Sequence, residues 1–179
     1  MMNSRRMHPH VTAVLDALRR IVRDLRQSSR TTERDFGIGG AQLFVLQQLS
    51  ESPLDSINEL ADRTYTHQSS VSVVVRRLVE QGLVVRRPAA ADRRRRELKL
   101  TAAGRRVVAR APVTAQVRLI NALLRLPEPQ LARLERLLRR VVRTMGAAGE
   151  PAEMLFALEA ESGAAKRRRR VSPHRSRSS

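Results

Sequence analysis

Nine basic side chains stand between Leu83 and Arg106: Arg86, Arg87, Arg93, Arg94, Arg95, Arg96, Lys99, Arg105 and Arg106, against only Asp92 and Glu97. The chemistry open to such a cluster is anion binding, because a guanidinium presents a planar fork that matches phosphate oxygens and the edge of guanine. Just upstream lie Gln68, Ser69, Ser70, Ser72, Arg76 and Arg77. Short polar side chains beside arginine suit the reading of base edges from a helix laid in a groove. No nucleophile stands with a base, no glycine loop is shaped for phosphate, and no carboxylate pair suits acid–base work, so an enzyme is not expected. Asp92 and Glu97 serve better as ion-pair partners of the arginines.

The whole chain supports the same chemistry. Its 179 residues carry 35 Lys and Arg against 17 Asp and Glu, a formal charge of +18, which predicts attraction to a polyanion. Residues 163–179 hold seven basic and no acidic residues, yet the rest still carries +11. With no cysteine there is no disulfide, thiolate metal site or thiol redox sensor. His8 and His10 are spaced to share a metal but lack a third ligand, and His67 reads as a turn residue, so neither a metal nor a cofactor is expected. No apolar run reaches the roughly 18–20 residues that cross a bilayer. No signal-like apolar segment follows Arg5 and Arg6, so a cytoplasmic, membrane-free protein is expected.

These residues must be positioned by helices. Val11, Val14, Leu15, Leu18, Ile21, Val22 and Leu25 recur in steps of three and four, one stripe of a long amphipathic helix. After Gly37, Gly39 and Gly40 comes a largely apolar helix through Leu49, ending before Pro53. Ser56 and Glu59 have capping-box spacing and open a short helix. Tyr65-Thr66-His67 reads as a turn. The run Val71-Ser72-Val73-Val74-Val75 favours a strand by propensity. Periodicity overrides it: Val71, Val74, Val75, Leu78 and Val79 share one helical face and Ser69, Ser72, Val73, Arg76 and Glu80 another, with Gly82 as the stop. Leu83–Arg87 and Arg95–Thr101 then form a hairpin whose tip is basic. Thr101 caps a helix that Pro112 should kink or split. Pro127 and Pro129 open a last helix with a heptad-like seam at Leu131, Leu134, Leu138, Val141 and Met145. Residues 151–161 have the makings of one more short helix, and the basic end beyond Gly163 reads as disordered.

The order helix, turn, helix, basic hairpin is that of a winged helix-turn-helix. Glu59-Leu60-Ala61, Ser69-Ser70-Val71-Ser72, Arg77 to Val84, Arg87-Pro88, Asp92-Arg93-Arg94 and Leu100-Thr101-Ala102-Ala103-Gly104 resemble the multiple-antibiotic-resistance regulator (MarR) family. The motifs cover residues 56–104, and the flanking helices extend the likeness over roughly 8–146. The resemblance implies a mainly α fold: a three-helix winged helix-turn-helix with a β-hairpin wing, its N- and C-terminal helices forming a dimerisation domain. The expected units are 8–36 as a dimerisation helix, 38–101 as the DNA-binding domain, 102–146 as further dimerisation helices and 147–179 as an extension.

The family likeness also implies roles. Gln68 to Arg77 would be the recognition helix, with Arg86, Arg87 and Asp92 to Arg96 in the wing, where Arg94 enters the minor groove and Asp92 orients it. Val11, Val14, Leu15, Leu18, Leu131, Leu134, Leu138 and Val141 would form the dimer seam. The implied partners are double-stranded DNA, a second copy of the chain, and a small phenolic or otherwise anionic aromatic ligand that releases a repressor from a palindromic operator. Three features depart from the family: Arg95 and Arg96 make the wing more basic, the missing cysteine excludes a peroxide-sensing thiol, and residues 150–179 exceed the usual length. The alternative is a nonspecific architectural or RNA-binding protein, although so few aromatics argue against stacking on single strands.

Overall fold

The computed structural model describes residues 8–51, 56–88 and 96–147. The elements run α1 (Pro9–Phe36), α2 (Gly40–Glu51), α3 (Ile57–Arg63), α4 (Gln68–Glu80), β1 (Val84–Pro88), β2 (Arg96–Leu100), α5 (Ala102–Arg110), α6 (Ala115–Leu124) and α7 (Glu128–Thr144). The strands pair antiparallel as one two-stranded sheet. Asp92 to Arg95, the proposed short helix at 151–161 and the basic end all lie outside the described residues.

The core is aliphatic, as a chain with four aromatic residues requires. Leu43, Phe44, Val45 and Leu46 of α2 are fully enclosed by Leu60 of α3, Val71, Val74, Val75 and Leu78 of α4, and Val84, Leu98 and Leu100 of the hairpin. That α2 is buried nearly all round explains its apolar run. The β-branched stretch in α4 is helical, because four valine and leucine positions at helical spacing bury together while strand spacing would turn half of them to water. Val79 is the exception. The sequence places it on the buried face, but it is 37% exposed, since it sits off the edge of the buried arc, beside Ser72 and Arg76.

Local signals set the boundaries. Ser56 accepts a hydrogen bond from the Glu59 N–H at 3.1 Å and caps α3. At the end of α4, Gly82 (φ 68°) adopts the left-handed conformation; its N–H donates to Val79 and the Leu83 N–H to Leu78. This double closure stops the helix and turns the chain directly into β1.

Thr101 joins these ends. Its hydroxyl accepts from the Gly104 N–H at 3.0 Å, capping α5, and donates to the Gly82 carbonyl at 2.8 Å. Replacing Thr101 by valine keeps the shape and removes both bonds, so unfolding free energy should fall by about 1–2 kcal/mol. Urea melts of the two proteins check this; an unchanged midpoint would show that the hydroxyl bridge contributes nothing.

Pro112 does split the next helix: α5 and α6 meet at 69°. The break is built rather than loose. The Gln47 side chain on α2 spans it, donating to the Pro112 carbonyl at 2.8 Å and accepting from the Thr114 N–H at 3.3 Å. Thr114 caps α6, while Ser28 of α1 accepts from the Ala115 N–H at 3.1 Å. Arg118 of α6 also reaches Asp24 of α1 at 2.8 Å. The C-terminal half of α1 thus buries Leu25, Ser29 and Thr32, while its N-terminal half leaves Val11, Val14, Leu15, Leu18, Ile21 and Val22 exposed in the single chain. No residue of α7 is buried.

Candidate nucleic-acid interface

The helix-turn-helix is α3 and α4, joined through Thr64–His67. Tyr65 adopts φ 51° in this turn and its ring is exposed. Thr64 is buried and its hydroxyl donates to the Leu60 carbonyl at 2.7 Å, which fixes the end of α3. The far end of α4 is held from α2: Gln42 is buried, accepts from the Gly39 N–H at 3.0 Å and donates to the Gln81 side chain at 2.7 Å. The angle of α4 is therefore set by this hydrogen bond at its C-terminal end and by its buried valines.

With that face anchored, the opposite face points outward. Gln68, Ser69 and Arg76 are exposed; Ser70, Ser72 and Arg77 are half-buried. Ser72, Val73, Arg76, Val79 and Glu80 line an open depression of about 420 Å³, whose far wall is Arg86 of β1. The fold thus brings part of the α4 stripe and the first wing arginine to one place, although Arg76 and Arg86 are ten positions apart in sequence.

The strand register divides the other wing residues. Val84 pairs with Leu100, Val85 with Lys99, Arg86 with Leu98 and Arg87 with Glu97. Side chains alternate across a strand, so Arg86 shares the face of Val84, Leu98 and Leu100, while Arg87 shares that of Val85, Glu97 and Lys99. Arg87 and Lys99 line a separate cleft of about 820 Å³ with Arg105 of α5 and with Leu49 and Ser50 of α2. Sequence reasoning grouped Arg86 with Arg87; alternation along β1 sends them to opposite faces. Glu97 forms an ion pair with Lys99, two positions along the same strand face. Arg96 pairs with Pro88 at the end of the ladder nearest the wing tip.

Among the described residues no three His, Cys, Asp or Glu side chains gather as for a metal ion. The rings of His8 and His10 lie 5.6 Å apart at the start of α1. No single helix among the described residues is long and apolar enough to cross a membrane.

Residues 36–95 match the family model described as the MarR family. Over those residues, about a third of the chain, the sequence is similar to the MarR family. Members of the MarR family are transcriptional regulators rather than enzymes. Among solved structures, the MarR-family regulator Sco3205 from Streptomyces coelicolor, determined in complex with DNA, is 25% identical, with a TM-score of 0.50, and the match covers 80% of this chain and 92% of that one. A MarR/EmrR-family regulator from Acinetobacter sp. ADP1 is 23% identical, with a TM-score of 0.50 and coverage of 77% and 96%, and agrees in fold. No curated protein sequence matches significantly. The MarR-family match begins at Phe36 and ends at Arg95, so it spans α2 to α4, β1 and the wing tip and leaves α5 to α7 to the structural likenesses.

Proposed function

We propose that this chain is a sequence-specific DNA-binding transcriptional regulator that binds a palindromic operator as a homodimer, and that it is a repressor released by a small anionic aromatic ligand. The observation that carries DNA reading is the shared depression of Ser72, Arg76 and Arg86, beside the exposed Ser69 at the start of α4. A helix held by its buried face can enter the major groove with this stripe forward, while the wing follows the backbone into the flanking minor groove. In this reading Gln68, Ser69, Ser70, Ser72, Arg76 and Arg77 meet bases and phosphates, and Arg86, Arg87, Asp92 and Arg93 to Arg96 form the wing contact.

One such module reads only a few base pairs; two related by a two-fold axis read a palindrome. The exposed apolar residues of α1 and α7 support the dimer, which would bury Val11, Val14, Leu15 and Leu18 together with Leu131, Leu134, Leu138 and Val141. Repression and ligand release rest on the likeness to the MarR family.

A mobility-shift titration against a palindrome selected from random duplexes tests the reading. Saturable binding is expected, on the order of 10³-fold or more tighter than to a scrambled duplex, and weakening steeply with salt as counterions are released. Equal affinity for both duplexes would leave only nonspecific polyanion binding. Within that assay Arg94→Ala should weaken operator binding about tenfold, the scale of one lost charged contact, and leave the dimer intact by sedimentation. Unchanged binding would remove the wing assignment.

A further inference from the structure

Three helices of this chain end in the same way. At the end of α3 the Thr66 N–H donates to the Ala61 carbonyl at 3.0 Å and the Tyr65 N–H to the Asp62 carbonyl at 3.1 Å. Leu83 and Gly82 make the same pair of bonds at the end of α4, to Leu78 and Val79, and Ala147 and Gly146 make it at the end of α7, to Val142 and Arg143. This closure needs one residue in the left-handed region, which glycine enters freely and a residue with a Cβ enters only under strain. Gly82 and Gly146 supply it at φ 68° and 72°. The end of α3 instead holds Tyr65 at φ 51°, the only non-glycine residue with positive φ among the described residues.

The side chain does not offset that strain by packing. Its ring is 67% exposed and meets no other ring, and among the described residues its hydroxyl has no hydrogen-bond partner. A buried tyrosine would stabilise the fold through its apolar face; this one adds strain and leaves the ring in water. Strain of this kind persists where the surrounding structure fixes it, and it clusters at ligand contacts.

The position says which ligand. Tyr65 stands in the turn that delivers α4, three positions before Gln68, and Gln68 and Ser69 are exposed at the start of that helix. The turn is held on both sides. The buried Thr64 hydroxyl holds the Leu60 carbonyl, and the His67 carbonyl accepts from the Val71 N–H at 3.2 Å as α4 begins. The ring is thus carried on a fixed support beside the first exposed residues of the helix. When a recognition helix lies in the major groove, its N-terminal residues meet base edges, and the chain just before them passes over the groove wall, which is phosphate. A phenol is a donor suited to a phosphate oxygen, and tyrosine is among the side chains that make such contacts.

We propose that Tyr65 is a DNA-backbone contact: its hydroxyl donates to a phosphate oxygen at the edge of the groove that α4 enters, and so fixes how the helix sits there. The inference rests on the proposed reading of duplex DNA by α4. As a phosphate contact Tyr65 positions the helix and does not choose the sequence.

The chain has one tyrosine and no tryptophan, so its ultraviolet emission reports this ring. In the full-length protein acrylamide should quench that emission freely without DNA and should lose much of its access once a selected operator is saturated. Tyr65→Phe removes only the hydroxyl and should weaken operator binding on the order of tenfold, the scale of one hydrogen bond to a charged group, with the urea midpoint unchanged. Single-base variants of the operator should lose affinity by the same factor, because a phosphate is common to every sequence. Tyr65→Gly should move the two properties in opposite directions, raising the urea midpoint as the backbone relaxes while binding falls. Unaltered operator affinity in Tyr65→Phe, or quenching that the operator leaves unchanged, would overturn the proposal and leave the α4 reading standing. A loss confined to one base position would make Tyr65 a base contact, and a lower midpoint in Tyr65→Gly would give the ring a role in the fold; either also overturns it. A parent protein that prefers no duplex would remove the α4 reading and this contact together.

Discussion

Gly104→Ala should destabilise this protein by about 2 kcal/mol or more, although alanine is the better helix former. Gly104 lies in the first turn of α5, where an added Cβ would come within 2.2 Å of the Leu83 carbonyl oxygen and 3.2 Å of its carbon. Those atoms are backbone and cannot swing aside. The same oxygen accepts from the Thr101 N–H at 3.0 Å, so pushing the two segments apart strains the junction that starts α5. Overpacking of this kind costs about 3 kcal/mol at the upper end of its common range. Alanine returns at most about 1 kcal/mol through helix propensity, so the clash decides the sign. In a chain of this size the loss corresponds to a Tm lower by roughly 4–8 °C. A Tm equal to or above the parent's would mean that α5 does not approach β1 so closely.

Leu138→Asp should leave the subunit folded and abolish the dimer. In the single chain Leu138 is 46% exposed on a helix with no buried residue, so an aspartate there meets water and costs little. Within the proposed seam the same carboxylate loses its water and finds no partner, at a cost of several kcal/mol. Two-fold symmetry imposes that cost twice. A total above about 4 kcal/mol raises the dimer dissociation constant on the order of 10³-fold or more. Sedimentation should therefore find monomers at concentrations where the parent is dimeric, with helicity by circular dichroism preserved. Operator affinity should fall with it, because a lone winged helix reads half a palindrome. A dimer persisting at parental strength would move the seam away from α7.

Much of this architecture is legible in sequence because it is local. Ser56, Thr101 and Gly82 announce helix ends through the chemistry of their own turns, and Pro112 announces the break before α6 through its missing N–H. The α4 helix is legible against its own propensity because Val71, Val74, Val75 and Leu78 repeat at helical spacing. Val79 fits the same pattern but escapes burial, since periodicity gives the direction of a face and not the width of what covers it.

Other features rest on pairs distant in the chain, which no local pattern encodes. Gln42 and Gln81 are 39 positions apart, and Gln47 reaches Thr114 across 67. Both glutamines read as ordinary polar interruptions of an apolar helix, yet they set the far end of α4 and the angle of α6. Arg86 and Arg87 part by strand alternation alone, but the approach of Arg86 to Arg76 across the α4 depression needs the two segments folded together. The close approach behind Gly104 is a property of two segments folded together; the sequence shows the glycine and its motif, not the carbonyl it makes room for.

The most direct test of DNA reading by α4 is methylation protection of guanine N7 on a selected operator, comparing the parent protein with Arg76→Ala. The major groove exposes that atom to a helix lying in it. The account predicts two protected patches one helical turn apart, about 10 base pairs centre to centre, with protection reduced in both patches by the substitution. Protection that is absent, or unchanged in Arg76→Ala, would contradict it.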